Sequence, residues 1–162
     1  MSDQLYNIEV CSPSDLPQTE ISRCIQMVVQ GGAVDKNYVT KYLPQAKLLA
    51  VVRTRSKDNN IVGVGAVKVT RLEKARAIAK DSKFTFDESI PELGYVAVDS
   101  SHRNNKLSYR IVKQLCLKHT GQLFATTDNV YMQGPLKCSK FQREGQEWQG
   151  RKGMLSLWIK PR

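Results

Sequence analysis

Glu92-Leu-Gly-Tyr-Val-Ala-Val98, followed by Asp99-Ser-Ser-His-Arg103-Asn-Asn-Lys106-Leu-Ser108 and Tyr109-Arg-Ile-Val-Lys-Gln-Leu-Cys-Leu117, reads as a strand, a turn and a helix. A short apolar run rich in Val and Tyr suits a central strand, and Leu107, Ile111 and Leu115 recur every fourth residue, as one face of a helix requires. The turn between them therefore opens a helix. Backbone N–H groups at a helix N-terminus lack intrahelical partners and lie at the positive end of the helix dipole, so they can hold an anion such as a pyrophosphate. Arg103 and Lys106 add positive charge beside them.

This run resembles the acyl-coenzyme A binding motif of the GNAT superfamily of N-acetyltransferases, in which a strand leads through a turn of pattern Gln/Arg-x-x-Gly-x-Gly/Ala into the next helix. Arg103 matches the leading position; Lys106 and Ser108 stand where the two small residues are expected. The resemblance implies acetyl-CoA, or another acyl-CoA, as cosubstrate, with Arg103, Asn104, Asn105, Lys106, Leu107 and Ser108 around its phosphates. Val96, Ala97 and Val98 would lie along the thioester and pantetheine arm, with backbone groups left free where the fourth and fifth strands splay. Downstream, Leu123-Phe-Ala-Thr-Thr-Asp-Asn129 looks like the family's fifth strand, ending in the Asn that faces the cofactor arm. Met132 to Phe141 fits its helix and turn of pattern Ala-x-x-x-Tyr-x-Lys-x-Gly-Phe, with Leu136, Cys138 and Lys140 in place of the Tyr, Lys and Gly.

Acyl transfer to an amine needs a polarised carbonyl, a neutral amine and a proton for the leaving thiolate. Glu92 resembles the catalytic carboxylate of the histone-acetyltransferase members; even spacing puts it on the strand face of Val96 and Val98, where an apolar surround would raise its pKa towards that of a useful base. The alternative is a solvated strand-entry residue after Pro91. Leu136 cannot donate a proton, so Tyr131 is the candidate donor, about 140° round the helix from Leu136; its alternative is a core or surface tyrosine. His102 reads as a turn residue, and Cys138 has no His near it in sequence to activate it.

The remaining segments extend this pattern on both sides. Residues 5–11 read as a strand, a helix runs from Ser12-Pro-Ser-Asp15 to Gly31-Gly32, and a second fits residues 35–42. Residues 47–55 and 61–70 form strands around a polar turn, and residues 145–148 and 154–160 form a terminal pair. Residues 71–91 hold helix formers and then breakers, and read equally as an acceptor-side lid or a surface excursion. The expected fold is α+β: a single GNAT-like domain over residues 1–162, its mixed, mostly antiparallel central sheet flanked by about four helices.

A chain of 162 residues can bury one sizeable core. No apolar run approaches the roughly 20 residues needed to span a bilayer, and Met1-Ser-Asp-Gln-Leu-Tyr has no basic or apolar leader. A soluble, cytoplasmic protein that does not bind membranes, monomeric or homodimeric, is expected. Cys11, Cys24, Cys116 and Cys138 form no metal-ligand spacing with His102 or His119; buried free thiols and no metal are expected. Residues 1–100 carry 13 Lys/Arg and 12 Asp/Glu, net +1, whereas residues 101–162 carry 12 and 3, net +9. That field exceeds what one small anion needs. Three readings follow: an acyl-CoA N-acyltransferase acting on an amine acceptor, a GNAT-fold protein that binds a nucleic acid or an acidic partner through its basic half, and a transferase that modifies a nucleic acid.

Overall fold

The computed structural model describes residues 5–32 and 34–162. Its strands are β1 (Tyr6–Cys11), β2 (Leu48–Thr54), β3 (Ile61–Lys68), β4 (Glu92–Val98), β5 (Leu123–Thr127), β6 (Gln142–Gln149) and β7 (Met154–Lys160). They form one sheet in the order β1-β2-β3-β4-β5-β7-β6, antiparallel throughout except where β4 runs parallel to β5. Among the described residues five α-helices cover it: α1 (Gln18–Gln30), α2 (Lys36–Tyr42), α3 (Leu72–Ser82), α4 (Leu107–Lys118) and α5 (Val130–Cys138). The fold is α+β, as expected, with one helix more than the sequence pattern indicated. Among the described residues no helix is long and apolar enough to cross a membrane.

The central strands β2 and β3 are almost continuously apolar because both faces of the sheet are covered. Ala50, Val52, Val62 and Val67 pack with Ile111, Val112 and Leu115 of α4; Leu49, Val51, Val64 and Ala66 pack on the other face with Ile21, Cys24, Ile25 and Val28 of α1. In β2 the alternation follows from the two-residue period of a strand, whereas in β3 a register shift against Val52 and Arg53 puts Val62 and Val64 on opposite faces. Helix α1 begins at Gln18 rather than at Ser12–Asp15. Pro17 disfavours helical geometry in the residue before it, so Pro13–Asp15 close a single 3-10 turn and Leu16 is extended.

Residues 71–91 are not a plain surface excursion. Helix α3 and its return loop cover the β5-β7-β6 end of the sheet with a third core, in which Ile78, Ile90, Phe124 and Leu157 are buried with Phe84, Phe86 and Trp148 against them. Gly145 in β6 has φ +70°, and a Cβ there would strike the Ser82 carbonyl oxygen and sit 2.9 Å from Cβ of Phe84. The helix can lie this close because the strand carries no side chain at that point.

Candidate active site

Strands β4 and β5 pair at one position, Glu92 with Phe124, and diverge beyond it. The cause lies in β4. Against β3, Ala97 pairs with Val64 and Gly94 with Ala66, so Tyr95 and Val96 together face Gly65 alone. This is a β-bulge, and Tyr95 adopts φ +53° within it. The extra residue bends the strand and reverses its alternation: Leu93, Val96 and Val98 face α4, while Tyr95 and Ala97 face α1 and α2. Val96, Ala97 and Val98 are half-buried along the opened edge.

The turn beyond β4 is anchored from both sides. Asp99 accepts hydrogen bonds from Ser101 N–H at 3.0 Å and from the Arg23 guanidinium at 2.9 Å, and His102 Nδ1 lies 2.9 Å from the Tyr6 hydroxyl. The Asn105 side chain donates back to the carbonyls of His102 and Arg103. Asn104 has φ +68° and Lys106 φ +56°, ψ +28°. The position where the motif calls for glycine therefore keeps a left-handed backbone although a lysine occupies it. Lys106 is the N-cap of α4. No side chain caps that helix and no acid stands in its first turn, so among the described residues its leading N–H groups lack a side-chain cap, next in sequence to Arg103 and Lys106. The other four helices each have an N-cap side chain (Asp35 for α2, Asn129 for α5) or an acid in the first turn (Glu20 in α1, Glu73 in α3).

Glu92 differs from the expectation in both face and charge. The bulge removes it from the face of Val96 and Val98. It is 4 % exposed, and its carboxylate lies 2.8 Å from Lys74 Nζ of α3 and 3.4 Å from Lys68 Nζ of β3. Burial pushes its pKa up, but the two ammonium groups outweigh burial and hold it below the ordinary value of 4.5. Its surround is ionic, not apolar, and the expected upward shift is reversed. Lys68 responds oppositely: burial, aided by Lys74, lowers its pKa to about 8 despite the attraction of Glu92. Its ammonium lies 4.1 Å from the centroid of the Tyr95 ring. Lys68, Lys74, Glu92 and Tyr95, with Tyr38, Tyr42 and Arg71, line a cavity of about 70 Å³.

Tyr131 stands in the first turn of α5 and is 85 % exposed. Asn129 caps that helix, its Oδ1 accepting from Tyr131 N–H at 2.9 Å. Because β4 and β5 are parallel, Glu92 lies at their closed end and Tyr131 past their open end. The structure does not bring these two together. Leu136 is core, 1 % exposed, and Lys140 at the other expected glycine position has φ +71°. Cys24 is buried and its thiol pushed up to about 12, whereas Cys138 is exposed rather than buried. The lining residues Tyr38, Tyr42, Lys68, Arg71 and Tyr95 were missed from sequence; they come from four separate elements and loops, and no spacing links them.

No protein-family model and no curated protein matches this sequence. Solved structures do match its backbone. A GNAT-family acetyltransferase from Streptococcus agalactiae superposes with a TM-score of 0.69 at 15% identity, over 96% of this chain and 95% of that one. An acyl-CoA N-acyltransferase from Pseudomonas aeruginosa gives 0.68 at 9% identity, over 96% and 99%. A GNAT-superfamily phosphinothricin acetyltransferase from Sinorhizobium meliloti, in complex with acetyl-CoA, gives 0.59 at 12% identity, over 97% and 88%. At such identities the likeness is one of backbone, and what it establishes is that the chain has the fold of the GNAT N-acetyltransferases.

Proposed function

We propose that the chain is an acyl-CoA-dependent N-acyltransferase that moves an acyl group, acetyl in the simplest case, from the coenzyme's sulfur to a primary amine. The observation that carries this reading is the N-terminus of α4. Cations at a helix N-terminus cost about 0.3–1 kcal/mol, and a left-handed lysine costs about 1–2 kcal/mol more. No acid or cap within α4 offsets these terms. A pyrophosphate bound by the leading N–H groups, Arg103 and Lys106 would. The turn stands at the mouth of the opening between β4 and β5, where backbone groups of Val96, Ala97 and Val98 on the β5 side are unpaired by the sheet.

In the reaction the amine lone pair attacks the thioester carbonyl, a C–N bond forms as the C–S bond breaks, the amine loses a proton to water, and the leaving thiolate gains one. Tyr131, past the open end of the strands, is the proposed donor to that thiolate. Glu92 is held as a carboxylate between Lys68 and Lys74 and is a poor proton acceptor near neutrality, so its proposed part is to fix those two ammonium groups.

Calorimetric titration with acetyl-CoA tests the reading. Binding on the order of 10 µM, about 7 kcal/mol, is expected, and Arg103→Ala should weaken it by about 1.5–3 kcal/mol through loss of a charge-assisted contact. Absence of heat at millimolar coenzyme would end the enzyme reading. Tyr131→Phe should lower kcat by about 100-fold, the lower end of general-acid effects, with coenzyme affinity retained; an unchanged kcat removes the tyrosine from the proton path.

A further inference from the structure

The cavity beside the β4 bulge has donors without acceptors. Tyr95 is 7 % exposed and its hydroxyl has no hydrogen-bond partner among the described residues; the Nε–H of Arg71 is likewise buried and unpaired among them. The rest of the Arg71 guanidinium is engaged: Nη2 donates to the Tyr38 hydroxyl at 3.1 Å, Nη1 lies 3.3 Å from exposed Glu73, and the rings of Tyr38 and Tyr42 flank it at 5.1 and 5.0 Å. These contacts hold the unpaired edge in place. Three cations, Lys68, Arg71 and Lys74, line this space against one buried carboxylate, Glu92; the exposed Glu73, paired with Arg71, is not part of the lining. Leaving buried donors unmet costs about 1–3 kcal/mol each, and surplus positive charge beside them is unfavourable as well.

We infer that this cavity binds the carboxylate of the acceptor, so that the substrate is an amine carrying its own acid group. A carboxylate supplies two acceptor oxygens and one negative charge, matching two orphan donors and the excess cation. The cavity, about 70 Å³, is several times the roughly 10–15 Å³ that a single water requires, so it has room for a carboxylate group. The location agrees: Tyr95 and Ala97 face the cavity side of β4, while Val96 and Val98 face α4. An acceptor anchored at Tyr95 therefore approaches the strand from the side opposite α4. This inference rests on the acyltransferase reading for the word acceptor but not for the carboxylate site.

The test pairs 4-aminobutanoate with its neutral amide. Binding of each is followed by ligand-observed NMR without coenzyme, and thiol release from acetyl-CoA is followed with each as acceptor, in the unmodified protein, Arg71→Met and Tyr95→Phe. The expected result is at least tenfold preference for the acid in binding and in kcat/KM, reduced severalfold in Tyr95→Phe, which keeps the ring, and abolished in Arg71→Met. Acid-selective binding that both variants weaken, with no thiol release from any amine, upholds the carboxylate site and overturns the transferase reading. Thiol release that is equal for acid and amide, or a preference that Arg71→Met and Tyr95→Phe leave intact, overturns the carboxylate site and spares the transferase. Equal, weak binding of both probes overturns it too.

Discussion

Two lysines occupy backbone conformations that glycine would adopt without strain. Lys106 at φ +56° opens α4 and Lys140 at φ +71° follows α5, each at a place where the resembled motif has glycine. A side chain in the left-handed region costs about 1–2 kcal/mol, while glycine loses about 0.5–1 kcal/mol more backbone entropy on folding. Lys140→Gly and Lys106→Gly should each gain up to about 1 kcal/mol of stability on that difference. They should part company in binding. Lys106 stands at the mouth of the diverging strands, so its loss should weaken acetyl-CoA binding, whereas Lys140→Gly should leave affinity unchanged. Equal affinity in the Lys106 variant would mean that the lysine is tolerated in the turn rather than used there. The turn geometry survives because neighbouring side chains fix it: Asp99 to Arg23, His102 to Tyr6, and Asn105 back to the turn carbonyls.

Glu92 joins three elements, since it lies on β4 and bonds to Lys68 of β3 and Lys74 of α3. Removing one member of a buried ionic group leaves the others uncompensated, so Glu92→Gln should cost about 3–5 kcal/mol and lower Tm by on the order of 10 °C. The pH dependence has a definite sign. The pKa of Glu92 is lower folded than unfolded, so its stabilisation is present above the ordinary 4.5 and lost as pH falls through the folded value. Lys68 is also depressed, to about 8 from 10.5, so between those values the unfolded chain holds more protons and stability from this group rises with pH. In Glu92→Gln the acid-side loss due to Glu92 should vanish and the rise due to Lys68 should begin at lower pH; denaturant titrations across pH check both. A variant as stable as the parent, with an unchanged acid limb, would show that the triad is not a structural joint.

At this same scale the order of strands and helices was legible because each carries its own period or turn signal, as with the stripe Leu107, Ile111, Leu115. The bulge was not: Gly94-Tyr95-Val96 reads as plain strand, and only the pairing with Gly65 shows the extra residue. One unseen residue therefore reversed the face assigned to Glu92. Its charged neighbours were equally hidden, because Lys68 and Lys74 reach it only through sheet pairing and the seating of α3. The phosphate-facing turn could be read because its residues are contiguous; the cavity could not, because its residues meet only in the folded chain.

The whole molecule carries +10, of which residues 101–162 supply +9. Two accounts of that field make different demands on it. If the coenzyme is what it serves, attraction falls off over a Debye length, about 10 Å at 0.1 M salt, so only cations close to the turn contribute strongly. Lys118 lies at the far end of α4, about 18 Å from Lys106 at 1.5 Å per residue. Raising salt from about 0.05 to 0.5 M should then weaken acetyl-CoA binding by roughly tenfold, and Arg103→Gln should flatten that dependence while Lys118→Gln leaves it alone. A long polyanion such as duplex DNA would read the basic half as a whole, so exposed cations far from the turn, Lys118 among them, would each add to its salt slope, by about 0.9 for every phosphate they neutralise. Titrations of acetyl-CoA and of a short duplex against the same two variants separate the accounts. Coenzyme affinity as sensitive to Lys118 as to Arg103 would mean that the field acts globally, and the local picture of the α4 turn would fail.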